Sequence, residues 1–275
     1  MSALESIGNG AEAGPSWSSL LGPVSEDNGY DESPRERSAR GQVYRRLRRA
    51  IILGKIPPGH SLSEKELAGI LGVSRTPVRE ALQRLSDDDL VIVRPQQGTE
   101  TSRISVRRVR EAQFVRELLE RSALKLIFER DEPLPMASLQ NQITGQVRAI
   151  NEHDFAGFFE SDQRFHRVLS ALSGYDSLGR IADTARAHLD RVRALSLPEP
   201  KTMQRIVHEH ELILEHLDAG QRQEADEVMR GHLRSVLQVL PKMSTRYPDY
   251  FAPEADDGGT IELVALDVAL HHAAG

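Results

Sequence analysis

The fold of this chain is decided by residues 71–82, which read LGVSRTPVREAL. A helical pattern ends at Gly72, and a second one begins near Arg75, with Pro77 in the first turn, where proline is tolerated. Arg75 and Arg79 are four residues apart and therefore share one face of this second helix. A helix, a turn that contains glycine and another helix make the pattern of a helix-turn-helix.

The helix before this turn is predicted to span Glu64–Leu71. Ser63 and Glu66 have the spacing of a capping box at its start, and Gly72 suits the left-handed residue that often ends a helix. An earlier helix is indicated by apolar residues at four-residue steps, namely Val43, Leu47 and Ile51.

Two short strands are predicted after the second helix of the motif, over residues 91–93 and 99–104. Gly98 lies in the turn between them, where the lack of a side chain lets the backbone approach another molecule closely. These strands form a wing. We therefore predict a winged helix-turn-helix over residues 38–104.

The distribution of charge favours a nucleic-acid partner for this segment. Residues 38–104 hold 12 Lys and Arg against 7 Asp and Glu, although the whole chain has a net charge of −6. A solvated surface of mixed charge would give the same count. Residues 1–37 are rich in Gly, Ser, Pro and acidic side chains, so we predict a disordered acidic tail there.

The second helix of the helix-turn-helix, which begins near Arg75, has the chemistry of a DNA-recognition helix. Arg75 and Arg79 are placed to donate hydrogen bonds to guanine edges in the major groove. Thr76 and the free N–H groups of the first turn suit a phosphate. The alternative is a helical packing module whose arginines are merely solvated.

Residues 105–243 read as successive amphipathic helices, and residues 244–275 as a C-terminal tail. The helix that begins after Ser105 carries Arg116 within its apolar stripe. A buried arginine needs a partner. Either it pairs with Glu120 one turn later, or it clamps the carboxylate of a ligand.

Several polar residues occupy apolar stripes of these helices. A single core histidine is usually just hydrogen-bonded, but a set of three imidazoles and one carboxylate is also a ligand set for a divalent ion with open positions. We predict zinc or nickel, with manganese as a further candidate. Arg116 and His188 are predicted to contact an effector beside the ion. The predicted metal ligands are Asp162, His166, His210 and His232.

The N-terminal motifs resemble the GntR family of regulators. The resemblance lies in residues 57–68, PPGHSLSEKELA, and in the 71–82 stretch. It implies that four residues contact operator DNA, namely Lys65, Arg75, Arg79 and Gly98. One departure is Asp89, which stands where the family has a glycine. Aspartate tolerates the left-handed conformation, so we expect the turn to survive.

The helical part resembles the FadR C-terminal (FCD) ligand-binding domain of one GntR subfamily. Residues 162–166 match its D-x-x-x-H motif, and His210 and His232 match its two later histidines. The resemblance implies an antiparallel bundle of six or seven helices, a homodimer and a small carboxylate effector.

The sequence therefore predicts a mainly α-helical protein with a winged helix-turn-helix and an FCD-like bundle. We expect a transcriptional regulator, most often a repressor in this family, that binds operator DNA. It has no cysteine and no apolar run long enough for a membrane span, which fits a cytoplasmic protein. Two alternatives stay open: a metal-dependent enzyme in the helical domain, and an architectural DNA-binding protein that needs no ligand.

Overall fold

The computed structural model describes residue 21 and residues 38–94, 96, 98–130, 134–175, 177–198 and 201–253. Within these ranges the chain is mainly helical, with one two-stranded antiparallel sheet. A winged helix-turn-helix comes first and a helical bundle follows, which confirms the predicted fold class.

The first domain contains three helices and two strands: α1 (Ala39–Ile52), α2 (Glu64–Leu71), α3 (Arg75–Asp87), β1 (Val91–Arg94) and β2 (Gly98–Thr101). The bundle contains α4 (Val106–Ile127), α5 (Met136–Asn151), α6 (Phe155–Leu172), α7 (Ser177–Ala185), α8 (Ala187–Ser196), α9 (Thr202–Asp218) and α10 (Arg222–Arg246).

The helix-turn-helix forms through the local signals of its sequence. Helix α2 has the predicted bounds, and the Ser63 side chain accepts a hydrogen bond from the Glu66 N–H at 3.3 Å. Gly72 ends the helix with φ 66°. Asp89 also has positive φ, 58°, as expected of an aspartate in place of glycine.

The second wing strand is shorter than predicted. It ends at Thr101, and Ile104 instead forms a parallel bridge with Phe251. The Ile104 N–H donates to the Tyr250 carbonyl at 2.7 Å, and the Ala252 N–H donates to the Ile104 carbonyl at 2.9 Å. Helix α10 likewise continues past the expected domain end at residue 243. Residues 244–253 therefore belong to the fold, while 254–275 lie outside the described residues.

One residue of the predicted N-terminal tail is part of the first domain. Leu21 is 2% exposed and lies in the apolar core that helices α1 to α3 form. The Arg46 Nε donates a hydrogen bond to its carbonyl at 3.0 Å. The rest of residues 1–37 lies outside the described residues.

The sequence pattern misplaced two faces of the bundle. The apolar spacing of Ile181, Ala185, Val192 and Leu195 predicts one helix over Ser177–Leu195. The helix instead breaks at Arg186, whose buried guanidinium lies 2.6 Å from Asp183 and 3.1 Å from Asp190. Because of the break, the apolar stripe is not continuous and Ile181 is exposed. In helix α5 the apolar spacing of Leu139, Ile143 and Val147 predicts a buried Val147, but the helix buries Gln146 and exposes Val147.

Candidate metal centre and DNA-binding surface

The four predicted metal ligands meet at one place in the bundle. Asp162 and His166 come from α6, His210 from α9 and His232 from α10, and all four are buried. One ligand atom from each lies within 4.8 Å of all the others. Three separate helices are therefore joined at this cluster.

The imidazoles face one another through their Nε2 atoms. The Nε2 of His232 lies 3.1 Å from that of His166 and 3.4 Å from that of His210. For comparison, two ligands of a tetrahedral zinc ion at the usual Zn–N distance are roughly 3.3 Å apart. The spacing of the nitrogens thus matches the edges of a coordination polyhedron.

Each Nδ1 atom on the outer side of the cluster faces an oxygen. His210 Nδ1 lies 3.0 Å from Gln146 Oε1, and His232 Nδ1 lies 2.8 Å from Glu209 Oε2. His166 Nδ1 lies 2.7 Å from Glu120 Oε2. At His210 and His232 the acceptor holds the proton on Nδ1 and leaves the Nε2 lone pair free, which is the usual orientation of a histidine that binds a metal. The contact of His166 Nδ1 with Glu120 is an ion-pair distance without hydrogen-bond geometry.

The histidines of the cluster are suited to ligation at neutral pH. Burial, with help from Arg116, holds the pKa of His166 well below its usual range. Burial and the two other imidazoles do the same for the pKa of His210. Both rings are therefore neutral near pH 7, as a metal ligand must be.

Asp162 is the single anionic side chain among the four predicted ligands. Burial alone would raise its pKa, but the Arg193 guanidinium and the neighbouring histidines outweigh burial and hold the pKa far below its usual range. Its Oδ2 pairs with Arg193, whereas its Oδ1 has no hydrogen-bond partner among the described residues and lies 3.9 Å from two of the Nε2 atoms. A buried carboxylate oxygen without a partner is costly.

A divalent cation between these four side chains would stabilise both the facing Nε2 atoms of the histidines and the unpaired Oδ1 of Asp162. With the protons on the Nδ1 atoms, three Nε2 lone pairs would face one another, and the Oδ1 of Asp162 lacks a donor among the described residues. A cation would satisfy all four atoms together. The donor set of three imidazoles and a carboxylate fits zinc, nickel or manganese.

Beside the cluster lies a cavity that Arg116, Asp162, Arg193 and His232 line together with apolar side chains of α6, α9 and α10. The enclosed part of this cavity has room for about two water molecules. Arg116 makes the ion pair with Glu120 at 2.7 Å that was one of the two predictions for it. Its Nη2 nevertheless has no hydrogen-bond partner among the described residues.

His188 does not belong to this cavity, contrary to the sequence-based expectation. It is buried at the junction of the two domains, where its Nδ1 accepts a hydrogen bond from the Ser105 N–H at 3.1 Å. The expectation relied on a continuous helix, and the break at Arg186 removes that basis. His188 instead ties α8 to the start of α4.

Four supporting residues escaped prediction as parts of the site. Glu120 was considered only as a partner for Arg116, and Glu209 was not considered as a partner for a histidine. The burial of Gln146 could have been predicted, since it follows Leu139 and Ile143 at heptad spacing. No pattern in the sequence points to Arg193, whose contact with Asp162 joins residues 31 positions apart.

The residues predicted to contact DNA lie exposed on one domain. Arg75, Thr76 and Arg79 are on the first turns of α3, Lys65 is on α2, and Gly98 begins β2. The N-cap residue of α3 makes no side-chain hydrogen bond to the first-turn N–H groups. These groups suit a phosphate oxygen.

Glu64 orients the two arginines of the recognition helix. The Arg79 Nε and Nη2 atoms each donate to it at 3.0 Å, and Arg75 Nη2 donates to it at 3.2 Å. The hydrogen bond from Arg79 lowers the pKa of Glu64. Both guanidiniums are thus held side by side on α3 while they remain largely exposed.

Comparisons with known proteins agree with this architecture. The model of the gntR family of bacterial regulatory proteins matches residues 39–100, and the FCD domain model matches residues 111–235. An HTH-type transcriptional regulator from an unstable DNA locus of Streptomyces ambofaciens is 36% identical over 80% of this chain and 92% of its own length. The HTH-type transcriptional repressor RspR of Escherichia coli is 31% identical over 78% of this chain and 93% of its own length.

A solved structure shares the fold. Escherichia coli McbR/YncC superposes with a TM-score of 0.65 at 24% identity, covering 76% of this chain and 99% of that one. None of the helices in the described ranges is both long and apolar enough to cross a membrane. The family assignment indicates a DNA-binding regulator of transcription rather than an enzyme. This chain therefore belongs to the GntR family of bacterial regulatory proteins and carries an FCD domain.

Proposed function

We propose that this regulator is a homodimeric, cytoplasmic repressor that a small carboxylate controls by binding beside a divalent ion. The observation that carries the proposal is the arrangement of three imidazoles whose Nδ1 atoms face oxygens and whose Nε2 atoms face one another. Asp162, His166, His210 and His232 would hold the ion. The imidazole-rich set favours zinc or nickel, and manganese is also compatible.

The effector would bind in the adjoining cavity. An ion with four protein ligands keeps positions that oxygen atoms of a carboxylate can take, and its role would be to anchor that carboxylate. Arg116 offers an unpaired Nη2 on the cavity wall. Because the cavity has room for about two water molecules, a larger ligand would shift helices that line it, which would provide a difference in affinity between two conformations.

The metal is tested with His210→Ala and His232→Ala, against His208→Ala on the exposed face of α9 as control. We expect purified wild type and the control to hold one divalent ion per chain and to melt at a higher temperature with the ion than after chelation. Both cluster variants should lose the ion and this difference. Stoichiometric metal in both cluster variants would show that the site is misassigned.

The DNA-binding role is tested with Arg79→Ala. Two copies on an imperfect palindrome are expected, because the symmetry of an operator mirrors that of the dimer that reads it. The substitution should cost roughly 1–3 kcal/mol on the selected operator and less on random duplex. Equal losses on both would mean that Arg79 contacts only phosphate. RspR is named a repressor, and reporter expression with and without this protein would test that role here.

An architectural role without a ligand is the competing function. It predicts an operator affinity that does not change when the metal is removed. The buried, unpaired atoms of Asp162 and Arg116 favour the ligand-controlled protein, since a bundle that served only for dimerisation would have no need of them.

A further inference from the structure

Helix α8 contacts both the cavity and the DNA-binding domain. Its C-terminal half contributes Arg193 and Ser196 to the cavity wall. Its N-terminal half contributes Ala187 to the apolar core of the winged domain, and Arg191 Nη1 donates to the Ser102 carbonyl at 2.9 Å. A single helix of 10 residues therefore spans the distance between the two functional parts.

A series of ion pairs runs along this helix from the metal cluster. Asp162 Oδ2 pairs with Arg193, and Arg193 Nη1 lies 3.4 Å from Asp190 Oδ1. Asp190 is completely buried, and its Oδ2 accepts a hydrogen bond from Gln163 at 3.1 Å and lies 3.1 Å from the Arg186 Nε. The carboxylate at the middle of α8 is thus shared among several cations.

The series continues into the DNA-binding domain. Arg48 of α1 places its Nη2 3.8 Å from Asp190 Oδ2 and its Nε 4.0 Å from Asp88 Oδ2. Asp88 is the C-cap residue of the recognition helix α3 and accepts a hydrogen bond from the Tyr44 hydroxyl. The pairs alternate in charge from one end to the other: Asp162, Arg193, Asp190, Arg48 and Asp88.

Binding at the cluster would change the first of these pairs. A cation at Asp162 repels Arg193 and competes with it for the carboxylate, while an anion in the cavity attracts Arg193. Both events alter the relative strength of the two ion pairs that Arg193 makes with Asp162 and Asp190. Because these groups are buried and water screens them little, a change at Arg193 alters the charge balance at Asp190 and with it the contacts of Asp190 with Arg186 and Arg48.

We propose that Asp190 and Arg48 couple the metal cavity to the recognition helix. They are positioning residues, since neither is one of the four cluster ligands nor one of the predicted DNA contacts. The inference depends on the metal site proposed above. It requires two arrangements of the ion pairs that differ in metal affinity and in the placement of α3, which is the physical condition for coupling.

The experiment compares full-length wild type with Arg48→Gln, Arg48→Lys and the matched control Arg49→Gln. Arg49 is the neighbouring residue on α1 and also reaches the bundle, where its Nε lies 2.5 Å from Glu160 Oε1, but it makes no pair with Asp190. Two quantities are measured for each protein: the affinity for Zn²⁺ alone, by calorimetry, and the ratio of operator affinities with and without saturating Zn²⁺. The operator is a duplex selected from random DNA with the wild-type protein.

We expect Zn²⁺ to change the operator affinity of wild type and of Arg49→Gln by roughly 5-fold or more, the lower range of allosteric coupling. Arg48→Gln should bring this ratio close to one with an unchanged Zn²⁺ affinity, and Arg48→Lys should restore part of it. An unchanged ratio in Arg48→Gln, or an equal loss in Arg49→Gln, would overturn the coupling while the metal site stands. If wild type binds no Zn²⁺, the metal proposal fails, and the coupling fails with it.

Discussion

Replacing His188 by asparagine is expected to reduce the loss of stability that the protein suffers between pH 7 and pH 5. The wild-type ring is buried at the domain junction, 5% exposed, and accepts the Ser105 N–H. Burial, followed by the charges of Arg191 and Arg108, lowers the pKa of His188 to about 3. An asparagine oxygen can accept the same N–H and does not titrate.

The size of the effect follows from proton linkage. An unfolded histidine has a pKa of about 6.5, so below that pH the unfolded chain binds a proton that the folded chain rejects. The contribution of the neutral His188 ring to the free energy of unfolding is complete above pH 6.5 and is lost progressively as the pH falls toward 3. A pH of 5 lies about 1.5 units below the pKa of the unfolded histidine, which corresponds to a loss of about 2 kcal/mol at 1.36 kcal/mol per unit. Any folded pKa below about 4 gives the same result at this pH.

The assay is urea unfolding at pH 7 and pH 5 with a chelator present, so that metal binding adds no pH dependence. The free energy of unfolding should fall by about 2 kcal/mol more for wild type than for His188→Asn. His208→Asn, at an exposed histidine of α9, is the control and should behave as wild type. Equal pH dependence in wild type and His188→Asn would refute the assignment of His188 as a buried neutral group.

Three other substitutions test separate parts of the structure. Glu209→Ala should weaken metal binding roughly 10-fold or more by removing the acceptor at His232 Nδ1, whereas the exposed Glu211→Ala should not; calorimetry decides, and equal affinities would contradict the role. Glu64→Gln should release Arg79, so that the ratio of cognate to random DNA affinity falls roughly 10-fold; an unchanged ratio in fluorescence anisotropy would mean that the pairing has no function. Leu21→Ala should lower the free energy of unfolding by about 2 kcal/mol or more, and no change in urea unfolding would show that Leu21 does not pack on the folded domain.

The parts of the fold that local signals specify were predictable. Helix α2 has its predicted bounds because Ser63 and Gly72 define its ends through contacts with residues a few positions away. The four cluster ligands could be selected because each occupies a stripe position, where a polar side chain is unusual. Periodicity was sufficient wherever a helix was straight and had one buried face.

The parts that depend on distant contacts were not predictable. Arg186 interrupts a helical pattern because Asp183 and Asp190 stabilise its buried guanidinium, and no propensity scale contains that pairing. The wing strand stops early because Phe251, almost 150 positions later, takes the pairing of Ile104. Leu21 is buried although residues 1–37 show no helical periodicity that would mark it as a core residue. In each case a tertiary contact decided against the local pattern.

The bridge between Ile104 and Phe251 has a consequence for exchanging domains between members of this family. Residues 102–105 are hydrogen-bonded on several sides, by Asp89 from the winged domain, by Arg191 and His188 from α8, and by residues 250–252 after α10. A chimera that joins a foreign winged domain at residue 105 would lose the buried Ile104 side chain, which shares an apolar cluster with Phe251, since Ile104 leaves with the native head. Functional exchange should therefore require that residues 102–104 stay with the bundle that carries Phe251.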